Sequence, residues 1–439
     1  LKKILAGGFD TGCGFIRPPK RIGSAAALAA VILQRAREDI HGGLSIPFFD
    51  RDMAQYADEA SEDEVYQAME AFIFNLNATY SRSMYMPYAT VSVGCDTSPA
   101  GRLVTKCLLL AYEKGLGRGE TPLLPHIIFR IKRGVNFVSG DPNYDLFKLS
   151  LRVSARRMNP IYSFTDSPFN KPHDTEASYL GCRTRIAENR RGITVSEGRS
   201  NLSSTTVNLP RLALKANGDL AAFYEEVDKV FEMVSRQLLH RLQIQSVLKA
   251  KDLPFVMGQA LHIGAEKLNP DDYIDEVVKH GTLSIGFIGL AETLQFLYGR
   301  HHGESDESQN LGLEVVHYLR RKTDEYAARY NLNFTLVACG AAEIGRRFMM
   351  ADRKQIDGRS HMIRSDAYSD GFHLPLGFNI DPADKINKEG PFHKLCNGGH
   401  VSFIQITGNP EQSCHDAEKL IRLAAQSDMG LVRIVKGEV

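Results

Sequence analysis

The most distinctive part of the sequence reads Gly181-Cys182-Arg183-Thr184-Arg185, then, after a polar loop, Gly198-Arg199-Ser200-Asn201-Leu202 and Asn208-Leu209-Pro210-Arg211. A cysteine beside a glycine and several arginines is untypical of a core element, because arginine side chains are rarely buried without partners. We interpret the first of these motifs as a loop that presents a thiol.

The composition limits the classes of protein to which the chain can belong. Its 439 residues are 43% hydrophobic and 24% charged, an ordinary globular composition that can bury the core of a large α/β domain. The net charge of +1 argues against a general polyanion-binding protein, so we expect no nucleic-acid partner. The sequence contains no run of about 18 apolar residues and no signal peptide, so we expect a cytoplasmic location and no membrane partner.

The cysteines are scattered along the chain. They occupy positions Cys13, Cys95, Cys107, Cys182, Cys339, Cys396 and Cys414. Because no two of them form a Cys-x-x-Cys pair, the pattern predicts reduced thiols rather than disulfides or a zinc site. The adjacent His301 and His302 are expected in a solvated loop beside acidic residues, so we predict no metal site.

Helical and strand-like segments alternate along the sequence. Capping signals and apolar periodicity predict helices over residues 24–40, 61–78, 102–114, 145–157, 219–249 and 311–330. Ser24 and Ser61 are the expected caps of the first two helices. Short apolar runs predict strands over 126–131, 334–337 and 401–406. This alternation favours parallel strands with helical crossovers, and the lack of a long linker predicts a single domain over residues 1–439.

Chemistry alone leaves two interpretations of Cys182 open. A lone cysteine is commonly a buried structural residue, whereas neighbours such as Arg183 would favour the thiolate or bind an anionic substrate. A cysteine hydrolase would need a histidine base within hydrogen-bond reach. The nearest candidate in the sequence, His173, lies in a stretch without predicted structure.

A small turn after the strand predicted over 334–337 is a second candidate site. It runs through Cys339, Gly340 and Ala341 into a helix that begins near Glu343, and the N–H groups of a helix N-terminus can bind phosphate. Because the turn lacks the full Gly-x-x-x-x-Gly-Lys pattern, an ordinary connection is the alternative.

Three weaker motifs have ordinary structural explanations. The stretch 140–145 predicts a turn with an Asp or Asn cap before a helix. Gly398 and Gly399 could let a ligand approach the backbone, or could form a simple turn. The basic cluster around Lys20 could bind phosphate, or could be solvated surface.

Taken together, the motifs resemble the anaerobic, class III ribonucleoside-triphosphate reductases over residues 1–429. Besides the motifs of residues 181–211, supporting stretches occur in the family's order. They are Pro18-Pro19-Lys20, Asp96-Thr97-Ser98, Gly115-Leu116-Gly117-Arg118-Gly119, Gly140-Asp141-Pro142-Asn143-Tyr144-Asp145 and Asn397-Gly398-Gly399. The resemblance implies an α/β fold, a ten-stranded α/β barrel of the glycyl-radical enzyme and ribonucleotide reductase type with a central finger loop.

The resemblance also implies roles for individual residues. Cys182 matches the residue that becomes a thiyl radical, and Asn201 matches an asparagine near the substrate hydroxyls. The resemblance implies that substrate is bound by Cys339, Gly340, Ala341, Glu343, Gly398 and Gly399. This favours phosphate binding at the 339–343 turn over an ordinary connection. Lys20 lies where the family builds its allosteric effector site.

The implied activity is reduction of ribonucleoside triphosphates to deoxyribonucleoside triphosphates for anaerobic DNA precursor synthesis, with a glycyl radical as cofactor and formate as reductant. The implied partners are substrate and effector nucleotides, a radical-S-adenosylmethionine activating enzyme and a second copy of the chain. The family's ATP cone, zinc cysteines and radical glycine have no match in this sequence, so we expect a piece of a longer protein that is inactive alone. The alternatives are a nucleotide-binding or regulatory relative without activity, and a glycyl-radical lyase acting on a small acid.

Overall fold

Helices and short strands alternate through the computed structural model, which describes residues 1–78, 87–340, 342–356, 366–375, 377–408 and 410–437. The helices are α1 (Lys2–Gly7), α2 (Ile22–Asp39), α3 (Phe49–Ala57), α4 (Glu62–Asn77), α5 (Pro99–Lys114), α6 (Tyr144–Arg157), α7 (Leu209–Ala216), α8 (Leu220–Ser246), α9 (Pro254–Gly258), α10 (Asp275–Val278), α11 (Leu290–Tyr298), α12 (Asp306–Tyr330), α13 (Ala342–Ile356), α14 (Pro382–His393) and α15 (Pro410–Ala424). The strands are β1 (Phe9–Asp10), β2 (Phe15–Ile16), β3 (Leu44–Ile46), β4 (Ala89–Val93), β5 (His126–Ile131), β6 (Ile161–Phe164), β7 (Ser178–Leu180), β8 (Thr184–Ile186), β9 (Asn201–Asn208), β10 (Thr282–Ile288), β11 (Asn333–Ala338), β12 (Ser402–Ile406) and β13 (Leu431–Lys436).

The predicted helices and strands are confirmed, with small shifts at their ends. Ser61 caps α4 in a full capping box, in which its hydroxyl accepts from Glu64 N and the Glu64 carboxylate accepts from Ser61 N. The expected cap at Ser24 is wrong, because α2 already begins at Ile22 and no side chain caps it.

The stretch 140–145 precedes α6 as predicted, but Asn143 does not cap that helix. Its side-chain amide instead donates to the carbonyl oxygens of Gly94 at 3.0 Å and Asp96 at 2.8 Å. Ser98, in the neighbouring motif, caps α5 by accepting from Gly101 N at 3.1 Å. These two motifs therefore fix the loop that follows β4.

Two sheets form the centre of the molecule. The larger has the strand order β12-β13-β6-β5-β4-β3, in which all neighbours are parallel except β13 and β6. The smaller is the parallel sheet β11-β10-β9. A parallel bridge between Val337 of β11 and Gly399, just before β12, joins them. The strands thus fall into two parallel sets that meet antiparallel at β6 and β13.

Each sheet packs against helices through its own core. Phe129 and Tyr162 of the larger sheet join a cluster with Phe147 of α6, whereas Phe287 of the smaller sheet packs in a cluster with Leu319 of α12. Complete burial of one such side chain stabilises the fold by about 1.5–3 kcal/mol. Among the residues described, no helix has the length and apolar character needed to cross a membrane.

A third, smaller cluster positions the hairpin of β7 and β8. It comprises Ile128, Ile161, Tyr179, Val401 and Leu431, and Cys182 packs against it. Because Ile128 and Ile161 belong to β5 and β6 but not to the main core of that sheet, this cluster lies on the sheet face opposite the helices. Cys182 therefore belongs to a hairpin that packs on the face of the larger sheet opposite its helices, which we call the inner face.

Candidate active site

Cys182 lies at the tip of the antiparallel β7–β8 hairpin, where Leu180 pairs with Thr184. Gly181 has a φ of +62°, and a Cβ at this position would lie 2.7 Å from Cε1 of Tyr88. Both the positive φ and the close ring require glycine. The Gly181 carbonyl accepts from the Thr90 hydroxyl at 2.7 Å. The backbone that carries the thiol is thus fixed from the β4 side.

Gly398 and Gly399 support the hairpin from the opposite side. The Gly398 carbonyl accepts from Arg185 N at 2.9 Å. A Cβ on Gly399, whose φ is +111°, would overlap the carbonyl oxygen of Arg183. The group that approaches the backbone of these glycines is therefore the cysteine hairpin of the same chain, whereas the sequence suggested either a ligand or a simple turn.

The arginines around Cys182 have different roles. Arg185 and Arg199 are buried and donate to main-chain carbonyls, among them Phe169 O at 2.8 Å and Ala187 O at 2.8 Å. They stabilise the loop and are not available to a substrate. Arg183 is the arginine that reaches the thiol, with Nη1 at 4.0 Å from Sγ.

Tyr88, which belongs to none of the sequence motifs, packs on Gly181 next to the cysteine. Its ring also packs, edge-on, on His126 at 4.8 Å between centroids. Burial, together with the neighbouring Cys182, raises the pKa of Tyr88 well above its usual value. The phenol therefore stays protonated and can donate at physiological pH.

The turn after β11 adjoins this group of residues. Gly340 lies between the hairpin and residue 370, since a Cβ on it would be 2.9 Å from both Arg183 Nη1 and Asp370 Oδ2. Cys339 is buried beside the Thr206 hydroxyl, at 3.2 Å, and burial raises the pKa of its thiol. Glu343 is exposed in the first turn of α13, and Ala341 lies outside the described residues. The structure thus brings Cys182, Arg183 and Gly340 together.

The parallel strands β9, β10 and β11 lead into α7, α11 and α13, so the N-termini of these helices lie at one edge of the sheet. Asn208 caps α7 by accepting from Arg211 N at 3.2 Å. The chain around residue 370 covers the start of α11, where Leu290 N donates to Gly371 O at 3.0 Å. Among these three helices of the described chain, α13 is therefore the one whose N-terminus we expect to be able to bind an anion.

The Asn-Leu-Pro-Arg motif also anchors α13. Asp352 of this helix is fully buried and accepts from Asn208 Nδ2 at 2.7 Å and Tyr368 OH at 3.1 Å. It also forms an ion pair with the guanidinium of Arg211. The motif therefore sets the position of the helix that follows the Gly340 turn.

Asn201 begins β9 and belongs to a second group of polar residues. Its Oδ1 accepts from Ser284 Oγ at 3.4 Å, and Ser284 in turn lies 3.0 Å from the Thr335 hydroxyl. Asn201 and Thr184 line a cavity of about 650 Å³ between β3 and the start of β9, whereas Cys182 does not line it. Lys20 is exposed in the segment before α2, outside both groups.

A buried histidine cluster lies next to the Gly399 segment, and no motif of the sequence indicates it. His373, Glu389 and His400 can each offer a ligand atom, and these atoms lie within 4.8 Å of one another. Glu389 already accepts from Ser402 Oγ at 2.6 Å and pairs with Lys385 at 3.4 Å. Burial favours its protonation, but Lys385 and His373 outweigh burial and hold the pKa of Glu389 at about 2. Glu389 therefore already has a cationic partner in Lys385.

The solvated loop expected at His301 and His302 is wrong. Both side chains are buried, and a ring nitrogen of His302 lies 2.9 Å from the Phe372 carbonyl. Burial lowers the pKa of His302 to about 3. His302 is therefore a neutral core residue, and His301 is buried with Nε2 at 3.7 Å from the Glu304 carboxylate.

Solved structures with the same architecture define the class as the glycyl-radical enzyme fold. The anaerobic ribonucleotide reductase from Thermotoga maritima in complex with dATP and CTP is similar to 99% of this chain and 72% of its own, at a TM-score of 0.73 and 14% identity. The B12-independent glycerol dehydratase from Clostridium butyricum is similar to 96% of this chain and 62% of its own, at a TM-score of 0.65 and 12% identity. These similarities confirm the expected α/β fold.

The sequence gives the narrower assignment, because residues 1–436 match the model of the anaerobic ribonucleoside-triphosphate reductase family. The chain belongs to this family. It is 29% identical over 433 residues to the anaerobic ribonucleoside-triphosphate reductase of Escherichia coli, covering 92% of this chain and 60% of that protein. The enzyme of phage T4 is 28% identical, covering 92% and 71%. The chain thus spans about 60% of the length of its bacterial relative.

Proposed function

We propose that residues 1–439 form one catalytic domain that reduces ribonucleoside triphosphates to 2′-deoxyribonucleoside triphosphates, with Cys182 as the thiyl residue. The main support is the position of this cysteine. It is at the tip of a hairpin held on both sides by glycine contacts, on the inner face of the sheet, beside Arg183 and the Gly340 turn.

The family's glycyl radical would take the hydrogen atom of the Cys182 thiol and so leave the unpaired electron on the sulfur. Cys182 then takes the 3′ hydrogen atom of the ribose, forming an S–H bond as the C–H bond breaks. The 2′ hydroxyl leaves with a proton as water. Formate gives its hydrogen atom to C2′ and a further electron to the sugar, which takes up a proton at the 3′ oxygen, so that formate is oxidised to carbon dioxide. Cys182 then returns its hydrogen atom to C3′.

Asn201 is proposed to bind the ribose hydroxyls, because its side-chain amide can both donate and accept hydrogen bonds. The Ser284 hydroxyl, which donates to Asn201 Oδ1, would orient the amide so that its NH₂ group faces the substrate.

The triphosphate is proposed to bind at the turn of Cys339, Gly340, Ala341 and Glu343, with Gly398 and Gly399 close by. Two features support this placement. The N-termini of α7 and α11 are capped by protein groups, and Arg183 adds positive charge beside Gly340.

The remaining proposals concern partners. Lys20 is exposed just before α2, and we propose that it contributes to an effector site at a dimer interface. The solved Thermotoga maritima structures include one with dATP bound in a specificity site. An activating enzyme of the radical-S-adenosylmethionine class and a cytoplasmic location complete the proposal.

The test uses the full gene product that contains this chain, with its activating enzyme, formate and CTP under anaerobic conditions. Wild-type protein should form dCTP, and Cys182→Ser should form none while still binding CTP by calorimetry. Cys414→Ser, on α15, is the matched control and should stay active. A serine variant with full activity would refute the role of Cys182, and CTP binding without turnover in the wild type would indicate a regulatory relative.

A further inference from the structure

We propose that His373, Glu389 and His400 form a binding site for one divalent transition metal ion of the zinc class. The three residues lie in separate parts of the chain, namely the segment before α14, α14 itself and the segment before β12. All three are buried, and their ligand atoms lie within 4.8 Å of one another. Metal binding here is independent of the reductase activity proposed above.

Each histidine is held by a main-chain carbonyl, as metal-ligating histidines usually are. Nε2 of His373 lies 2.9 Å from the Val401 carbonyl oxygen. Nδ1 of His400 lies 3.2 Å from the Ala338 carbonyl oxygen. Because a carbonyl oxygen can only accept, each of these two nitrogens carries the ring hydrogen. The lone pair that could bind a metal is therefore on Nδ1 of His373 and on Nε2 of His400.

The free nitrogen of His400 points to a ligand. The residue is 2% exposed, and within the described part of the chain its Nε2 has no hydrogen-bond partner. A buried polar atom without a partner destabilises the fold and requires an explanation. Two imidazole lone pairs and a carboxylate converge here, and one water molecule has only two hydrogens to donate to three acceptors. A cation satisfies all three at once.

Glu389 supplies the negative charge of the site. Its carboxylate accepts from Leu374 N at 3.2 Å and from Ser402 Oγ at 2.6 Å. It also pairs with Lys385 at 3.4 Å. Because a carboxylate has about four lone-pair positions, these three contacts leave one for a metal. Lys385 is the competing cation, and its side chain is 21% exposed, so it can turn towards solvent when a metal binds.

The donor atoms determine the class of metal. Two imidazole nitrogens and one carboxylate oxygen suit Zn²⁺, whereas Ca²⁺ and Mg²⁺ prefer oxygen ligands and soft ions prefer sulfur. Zinc bonds of about 2.0–2.1 Å place the ligands of a tetrahedron about 3.4 Å apart. Small rotations of the three side chains reach this spacing from separations within 4.8 Å.

The location of the site gives the metal a structural role. His400 follows Gly399, which contacts the cysteine hairpin at the Arg183 carbonyl. Its Nδ1 also bonds the carbonyl of Ala338, two residues before Gly340. A bound metal would therefore join α14 to the segment that supports the hairpin.

Metal binding by the full gene product that contains this chain tests the inference. The protein is freed of metal with a chelator and titrated with Co²⁺, followed by visible absorption, and then with Zn²⁺ in competition. The wild type should bind one more metal ion per chain than His400→Asn or Glu389→Gln, because each variant loses a ligand and its affinity at this site should fall by about hundredfold or more. Metal bound elsewhere in the gene product is common to all variants and cancels in this difference.

His393→Gln is the matched control. Its ring is buried beside the site, 5.4 Å from that of His400 between centroids, but both of its nitrogens have partners. They are Ser402 Oγ at 3.0 Å and Gly430 N at 3.2 Å. This variant should keep the wild-type metal content. Lys385→Gln removes the competing cation and should bind Zn²⁺ more tightly by about twofold to fivefold.

Equal metal content and affinity in the wild type and His400→Asn would overturn the inference, and so would weaker Zn²⁺ binding by Lys385→Gln. The wild type alone also decides the matter if a variant of a buried residue fails to fold. One bound Co²⁺ per chain should lack the near-ultraviolet charge-transfer bands of cobalt bound to sulfur, and if every bound Co²⁺ shows these bands the site does not exist. An active Cys182→Ser variant would refute the proposed function without affecting these results.

Discussion

Replacement of Gly399 by alanine tests whether this glycine supports the cysteine hairpin. At a φ of +111° any side chain is strained, and the new Cβ would overlap the Arg183 carbonyl oxygen. Gly218, between α7 and α8, provides the comparison, because its φ is +88° and a Cβ there would meet no described atom within 4 Å. The two substitutions share the backbone strain and differ in the overlap.

The magnitudes follow from this difference. Strain alone should lower the free energy of unfolding of Gly218→Ala by about 1–2 kcal/mol. Gly399→Ala adds a main-chain collision that can be relieved only by moving the hairpin, so we expect a loss of about 4 kcal/mol or more. The movement should also change the alkylation rate of Cys182, which Gly218→Ala should leave at the wild-type value.

Urea unfolding followed by circular dichroism measures the first effect, and peptide mass spectrometry the second. The comparison of the two variants removes contributions common to any Gly→Ala change. Equal loss of stability in both variants, together with an unaltered Cys182 rate in Gly399→Ala, would show that Gly399 does not support the hairpin.

Three further predictions concern the supports of the site. Asp352→Ala should lower the free energy of unfolding by about 1–3 kcal/mol in urea, because it leaves the buried Tyr368 hydroxyl without its acceptor, and Asp366→Ala, which removes an exposed pair with Arg346, should cost less than about 1 kcal/mol. Burial lowers the pKa of His393 from 6.5 to about 3, so only the unfolded chain takes up this proton between those values. The free energy of unfolding should therefore fall as the pH drops from about 6.5 towards 3, and His393→Gln should flatten this dependence in urea titrations. Gly181→Ala should force the Tyr88 ring away and alter the Cys182 alkylation rate, and an unchanged rate would contradict the geometry of the turn.

The sequence predicted the features of this fold that local rules determine. The capping box at Ser61 and the apolar runs of β5 and β12 depend on neighbours a few residues apart, and these were confirmed. The cap at Ser24 failed because α2 extends one turn further, over Ile22, whose side chain is buried in the core. Tertiary packing of Ile22 therefore determines the residue at which α2 begins.

The roles of the site residues depend on contacts that are distant in sequence. Arg183 and Arg185 are alike in the sequence, yet Arg185 is buried against carbonyls and Arg183 faces the thiol. Tyr88 packs on Gly181 only because β4 lies beside the hairpin. The histidine cluster joins residues 373, 389 and 400, and no spacing rule connects them.

The central claim is that Cys182 takes the 3′ hydrogen atom of a ribonucleotide. The most direct measurement is the rate of dCTP formation by the activated full gene product from CTP and from CTP deuterated at C3′. The account predicts slower turnover of the deuterated substrate by the wild type, and no dCTP from Cys182→Ser with either substrate. Formation of dCTP by Cys182→Ser, with the same isotope effect as the wild type, would contradict it.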